Sequence, residues 1–123
     1  MNRAEDRIQI GIIKYLRAVL PAREYRVCHI PNGGKRSKIE AAIFKRMGVL
    51  AGIADIIIVG PMGRCWFIEC KSANGVLSET QRDFQTFCIA IGVPYVIAQS
   101  IDHVMAALAH WGIKTRVAEA RVA

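Results

Sequence analysis

The chain has 123 residues, 53% hydrophobic and 22% charged, with 17 Lys and Arg against 10 Asp and Glu for a formal net charge of +7. That length fits one domain able to bury roughly two-thirds of its unfolded surface, and the apolar content excludes an intrinsically disordered chain. No apolar run approaches the ~18 residues needed to cross a bilayer. The N-terminal segment puts acids ahead of its apolar residues and has no small-residue cleavage site, so the cytosol is the expected compartment. The basic excess favours a polyanionic partner, nucleic acid before an acidic membrane surface.

Residues 3–20 carry Ile8, Ile12, Tyr15, Leu16 and Val19 at helical spacing, and Pro21 stops the pattern. Residues 24–30 alternate and are rich in strand formers. They run into "PNGGKRSK", where Pro31, Gly33 and Gly34 break regular structure. Residues 38–48 read as a short helix ending at Gly48. Two nearly all-apolar strands follow, "DIIIV" (55–59) and "CWFIEC" (65–70), joined by the turn "GPMGR". Such strands belong in the middle of a sheet covered on both faces. Residues 78–92 form the clearest helix, with Phe84, Phe87, Cys88 and Ile91 on one stripe and Ser78 as its cap. A strand at 94–98 precedes a last helix at 102–112, which turns Val104, Leu108 and Trp111 inward. The tail from Ile113 lacks a clear period. The order α-β-α-β-β-α-β-α predicts an α/β fold, a mixed central sheet flanked by helices on both faces, in one domain. Cys28, Cys65, Cys70 and Cys88 form no Cys-x-x-Cys pair and lie in apolar segments, so buried free thiols are expected rather than structural zinc.

The charges within the apolar hairpin are the feature that points to chemistry. Side chains alternate along a strand, so Glu69 and Lys71 share a face. If residues 60–64 form the loop, Val59 pairs with Cys65 and Asp55 falls opposite Glu69. Two carboxylates about 5 Å apart repel by about 3 kcal/mol at an effective dielectric of 20. A divalent cation such as Mg²⁺ between them removes that cost. Lys71 beside them can hold an attacking water and offset charge developing on a phosphate, which is the outline of metal-assisted phosphodiester hydrolysis. The competing reading makes Asp55 a strand cap and Glu69–Lys71 a salt bridge at a strand end. A one-residue bulge would also move Asp55 to the other face.

Asp55 followed by Glu69-Cys70-Lys71 resembles the core of the PD-(D/E)xK nuclease superfamily. More narrowly, "HIPNGGKRSKIEAAIFKRMGVLAGIADIIIV" and "FIECKSANGVLSETQRDFQ" resemble the VRR-NUC family in its short stand-alone form from phages and bacteria. The resemblance runs from about residue 5 to residue 98. It implies a restriction-endonuclease-like fold in which Asp55, Glu69 and the backbone carbonyl of Cys70 bind Mg²⁺ or Mn²⁺. It further implies that Lys71 is the catalytic lysine, that Gln81 orients the site and that Glu5 lies near the metal. Ala54 stands where the motif usually has proline.

Several of these residues also have ordinary structural explanations. Ser78-x-x-Gln81 is a capping box, and an acid such as Glu5 in a first helical turn is favoured by the macrodipole. His29 shares a strand face with Val27 and Tyr25, so it reads either as a core histidine or, beside the glycine loop, as a group near the scissile phosphate. In that loop Asn32, Gly33 and Gly34 allow close backbone approach, and Lys35, Arg36 and Lys38 offer phosphate contacts. A solvated basic loop is the alternative. The expected activity is thus a metal-dependent DNA endonuclease selective for branched DNA such as a Holliday junction, working as a homodimer in a bacterial or phage-infected host cytosol. The competing function is a catalytically silent basic DNA-binding module on the same fold.

Overall fold

The computed structural model describes residues 3–31 and 37–116. The elements are α1 (Arg3–Val19), β1 (Arg26–His29), α2 (Lys38–Arg46), β2 (Ile56–Val59), β3 (Cys65–Cys70), α3 (Glu79–Ile91), β4 (Tyr95–Ala98) and α4 (Ile101–His110). They build a four-stranded sheet in the order β1-β2-β3-β4. The first three strands are antiparallel, and β4 joins β3 in parallel. The parallel pair requires a crossover, which α3 supplies. This is the mixed α/β arrangement expected from the element order.

The hairpin register is the expected one. Val59 pairs with Cys65 and Ile56 with Ile68, so one more step places Asp55, just ahead of β2, level with Glu69. The loop closes through a Gly60 N–H bond to the Arg64 carbonyl at 2.9 Å. A short 3₁₀ turn at Pro61–Gly63 makes the reversal, with Met62 at φ 63° and Gly63 at φ 72°. Two successive left-handed residues suit the twist of a tight hairpin. The turn therefore adds no bulge to the ladder.

Strand alternation divides the sheet into two unlike faces. Ile56, Ile58, Trp66, Ile68, Cys70 and Ala98 point to one side and pack in a single cluster with Ile12, Leu16, Val19 and Leu20 of the α1 segment and Val104 and Leu108 of α4. Trp111 packs against the same cluster, and so does Ile113, at the start of a tail that showed no period. The second face lies under α3. There Phe84 meets the Phe67 ring edge-on at 5.1 Å and the Tyr95 ring at 6.2 Å.

Covering on this second face is incomplete. Of the α3 stripe Cys88 is buried and Phe84 half-buried, but Phe87 and Ile91 are exposed. Helix α2 buries none of its residues. The reading of the hairpin strands as covered on both faces therefore needs correction: Val59 is 45% exposed. The expectation of buried thiols needs one as well. Cys70 and Cys88 are buried, whereas Cys65 is half-buried and Cys28 is exposed, because β1 is an edge strand facing away from the α1 cluster at that position. All four thiols are free. No helix among the described residues is long and apolar enough to cross a membrane.

Candidate active site

Glu69 and Lys71 are the only buried charged residues among those described. The end of β3 puts them there: alternation that turns Ile68 and Cys70 to the apolar cluster must turn Glu69 and Lys71 to the α3 side. The Lys71 N–H donates to the Ala98 carbonyl at 3.0 Å, which extends the β3–β4 ladder to that residue and holds its backbone. Glu69 Oε1 is buried with no hydrogen-bond partner.

Asp55 joins them from the start of β2. Its Oδ2 accepts the Cys70 N–H at 2.8 Å, which fixes the carboxylate against the Cys70 peptide and beside Glu69. The approach of Asp55 depends on the preceding turn. Gly52 has φ +88°, and a Cβ there would lie 2.4 Å from the Thr80 carbonyl in the first turn of α3. Only glycine permits that contact, and it ties the segment bearing Asp55 to the helix bearing Gln81.

The electrostatics follow from burial. The Glu69 carboxyl is pushed up from the ordinary 4.5 to about 8, chiefly because burial disfavours its charge and then because Asp55 faces it, with Lys71 acting in the opposite direction. Burial also pushes the Cys70 thiol up, to about 12, so that side chain is an inert part of the core. Burial and then the nearby Glu69 raise Tyr95. Burial is the chief cause in all three groups, and the neighbouring acids add to it.

Lys71 Nζ lies 3.5 Å from Glu69 Oε2 and 3.9 Å from Glu5 Oε1. Glu5 therefore reaches the site from the first turn of α1, where an acid also suits the helix dipole. Gly75 makes room for that meeting: a Cβ on it would lie 2.9 Å from Glu5 Oε2 and 3.3 Å from Lys71 Cδ. Gly75 and Gly52 were not singled out by the sequence as site residues, since no local pattern marks a close approach between distant segments.

Gln81 serves both roles between which its sequence context left a choice. Its Oε1 accepts the Ser78 N–H at 2.8 Å while Ser78 Oγ accepts the Gln81 N–H at 3.2 Å, completing the capping box. Its Nε2 donates to Glu69 Oε2 at 3.3 Å. His29, which is exposed, donates from Nδ1 to the Asp55 carbonyl at 2.7 Å, since a carbonyl can only accept. It stands at the rim of the site rather than in the core. Lys38 opens α2 at the surface. Asn32, Gly33, Gly34, Lys35 and Arg36 lie outside the described residues.

The residues present fit a hard divalent cation. Two carboxylates lie side by side at one sheet end, the Glu69 Oε1 oxygen is buried and unpartnered, and oxygen donors are what Mg²⁺ and Mn²⁺ take. Among the described residues no group of three or more His, Cys, Asp or Glu side chains is gathered as a metal cage. Mg²⁺ needs no such cage, because it keeps several waters and uses one or two carboxylates.

A mixed sheet whose central hairpin ends in an Asp, a Glu and a Lys, framed by the first and third helices, defines a nuclease-type α/β domain. The VRR-NUC domain family matches residues 6–102, most of the chain, and the chain belongs to that family. A solved structure described as a VRR_NUC domain protein is 25% identical, with a TM-score of 0.67 over 89% of this chain and 88% of its own. A second, described as a VRR_NUC domain, is 18% identical with a TM-score of 0.60, covering 88% and 97% respectively, and is alike in fold. Comparison with curated proteins returns no match.

Proposed function

We propose that this domain hydrolyses DNA phosphodiester bonds with Mg²⁺ or Mn²⁺ and prefers branched DNA. The observation that carries the reading is the buried Glu69 carboxyl beside Asp55, with its Oε1 unpartnered. A fold has no use for that arrangement unless a ligand compensates it.

Asp55, Glu69 and the Cys70 carbonyl would hold the cation, which when bound supplies Lewis-acid polarisation of the phosphate and lowers the pKa of water. Lys71 is held between Glu69 and Glu5, so its ammonium is aimed without being free to swing. From there it donates to the attacking water and offsets charge on the phosphoryl oxygens as they become more negative. Gln81 Nε2 keeps the Glu69 carboxylate in plane for its task, and the capping box keeps Gln81 in place. His29 at the rim is near enough to Asp55 to meet a flanking phosphate.

Assembly as a homodimer goes with this reading. Ile39, Ile43 and Met47 of α2, Val49 and Leu50 after it, and Phe87, Ile89 and Ile91 of α3 are all exposed. A groove of about 1490 Å³ separates the two helices. Val49, Leu50 and Phe87 line that groove, and a stable interface needs roughly 800 Å² from each partner, which the apolar residues around the groove would help to supply. A second copy covering this face would give one active site for each strand of a junction.

The test is cleavage of labelled four-way junction, flap and linear duplex by the full chain, with Mn²⁺, with Mg²⁺ and in EDTA. Junction cleavage that requires metal and falls by at least about 10³-fold in Lys71→Ala and Glu69→Ala is the expected result. Undiminished cleavage in EDTA or in either variant would overturn the reading.

A further inference from the structure

The first turn of α1 contains Glu5 and Asp6, but the side of the helix away from Glu5 is dominated by basic charge, with Asp6 at its margin. At 100° per residue Arg3, Arg7, Lys14 and Arg17 fall within an arc of about 80°, directly opposite the buried Ile12 and Leu16. All four are exposed. Arg17 also donates to the Val27 carbonyl at 2.8 Å, which steadies it. Past the end of the helix the ridge meets a cleft of about 480 Å³ lined by Arg23, Lys114 and Arg116, with Glu24 its one acid. Arg116 is fixed there by bonds from its backbone N–H to the Val19 carbonyl and from its guanidinium to the Ala18 carbonyl.

A solvated helix face usually mixes both signs in stabilising pairs four residues apart. Here Arg3 and Arg7 form a like-charge pair at that spacing, which costs the isolated helix about 0.2–0.5 kcal/mol. The one acid beside the ridge is Asp6, three residues from Arg3. Among the described residues the only ion pairs are those made by Lys71, so Asp6 is not paired with the ridge and does not neutralise its four cations. A polyanion would.

We propose that this ridge and cleft carry the phosphate backbone of a duplex arm leading away from the scissile bond. Arg3 and Arg7 share the first two turns of α1 with Glu5 but stand on the far side of the helix, so an arm reaches the ridge by passing over the N-terminal end of α1. From Arg3 to Arg17 it runs about 21 Å at 1.5 Å per residue, which is roughly six base pairs of duplex at 3.4 Å each. The cleft extends it by another turn of chain. Contacts of this kind carry position and affinity, not sequence. The inference rests on the nuclease reading for the identity of its ligand, and adds where an arm lies.

The test compares the full chain with the triple variant Arg7→Gln/Lys14→Gln/Arg23→Gln by fluorescence anisotropy. Binding is measured in EDTA, so that cleavage does not intrude, on duplexes of about 6, 12 and 18 base pairs, with lengths chosen from the ridge span. The wild type is expected to bind the longer duplexes more tightly. The variant should keep its melting temperature, lose that length dependence, bind the longest duplex at least about tenfold more weakly, and show a salt slope smaller by about three, one per residue removed. Equal affinity and equal slope in the two proteins overturn the proposal. So does a variant that loses binding to phosphatidylserine vesicles and not to DNA. In Mn²⁺, cleavage of a substrate too short to reach Lys14 should fall less in the variant than cleavage of the longest duplex, because only Arg7 of the three replaced residues can touch it. A wild type that binds through the ridge but never cuts would refute the nuclease reading and leave the ridge standing.

Discussion

The two faces of the sheet are made from the same strands yet are finished differently. On the α1–α4 side Ile56, Ile58, Trp66, Ile68, Cys70 and Ala98 are sealed in one apolar cluster, with Val96 half-buried against it. On the α3 side the same alternation sets Phe67, Glu69 and Lys71 in a row, under a helix that buries only Cys88. The sealed face supplies the free energy that the other face spends on a buried, poorly compensated acid. Stability and chemistry are thus separated by a single-residue alternation, so that substitutions of neighbouring residues on β3 should have opposite kinds of effect.

The sharpest way to break that comparison is to exchange a side chain on each face. Ile68→Ala removes a fully buried side chain and should lower the free energy of unfolding by about 2–5 kcal/mol, read from urea denaturation. Phe87→Asp changes an exposed residue and should leave the unfolding free energy of the monomer within about 0.5 kcal/mol. Its effect should appear instead in sedimentation, as loss of the proposed dimer. Comparable destabilisation by the two would mean that the α3 face is as tightly built as the other.

Acidity provides a second way to tell the faces apart. A carboxyl raised in the folded state keeps its proton where the unfolded chain has released it. Glu69 therefore contributes stability that is fully present below about 4.5 and is lost as pH rises through about 8. The metal-free protein should show a falling melting temperature across that interval. Glu69→Gln should flatten the profile, because a neutral amide has no proton to lose beside Asp55 and Lys71. Added Mg²⁺ or Mn²⁺ should raise the alkaline limb in the wild type and not in Glu69→Gln. A flat wild-type profile without metal would mean the acid is less confined than its burial indicates.

The hairpin and its charges were legible because the information is local. Counting back across a five-residue turn was enough to set Asp55 level with Glu69, and Ser78 with Gln81 announced the start of α3. Periodicity also marked which side of each helix is apolar. It could not say what lies over that side, and so the exposure of Phe87 and Ile91 and the absence of any buried residue on α2 were missed. Contacts between distant segments were equally silent. The Gly52–Thr80 approach and the Gly75 space shared by Glu5 and Lys71 require the folded backbone to be seen, and Glu5 could be assigned to the site only through family resemblance.

Gln81 offers the finest division, since one side chain spans both purposes. Ser78→Ala removes the oxygen that accepts the Gln81 N–H and should cost about 1 kcal/mol of stability. Gln81→Ala breaks the reciprocal cap bond and should cost a similar amount, but it also deletes the donor to Glu69 Oε2. If Gln81 merely starts the helix, the two variants should melt alike and cut alike. If it holds the acid in position, only Gln81→Ala should lose roughly tenfold or more in kcat, the usual effect of removing a group that orients a metal ligand. The second outcome is expected, because the amide is divided: its oxygen is committed to the cap, which leaves its nitrogen pointing at Glu69 and at nothing else among the described residues.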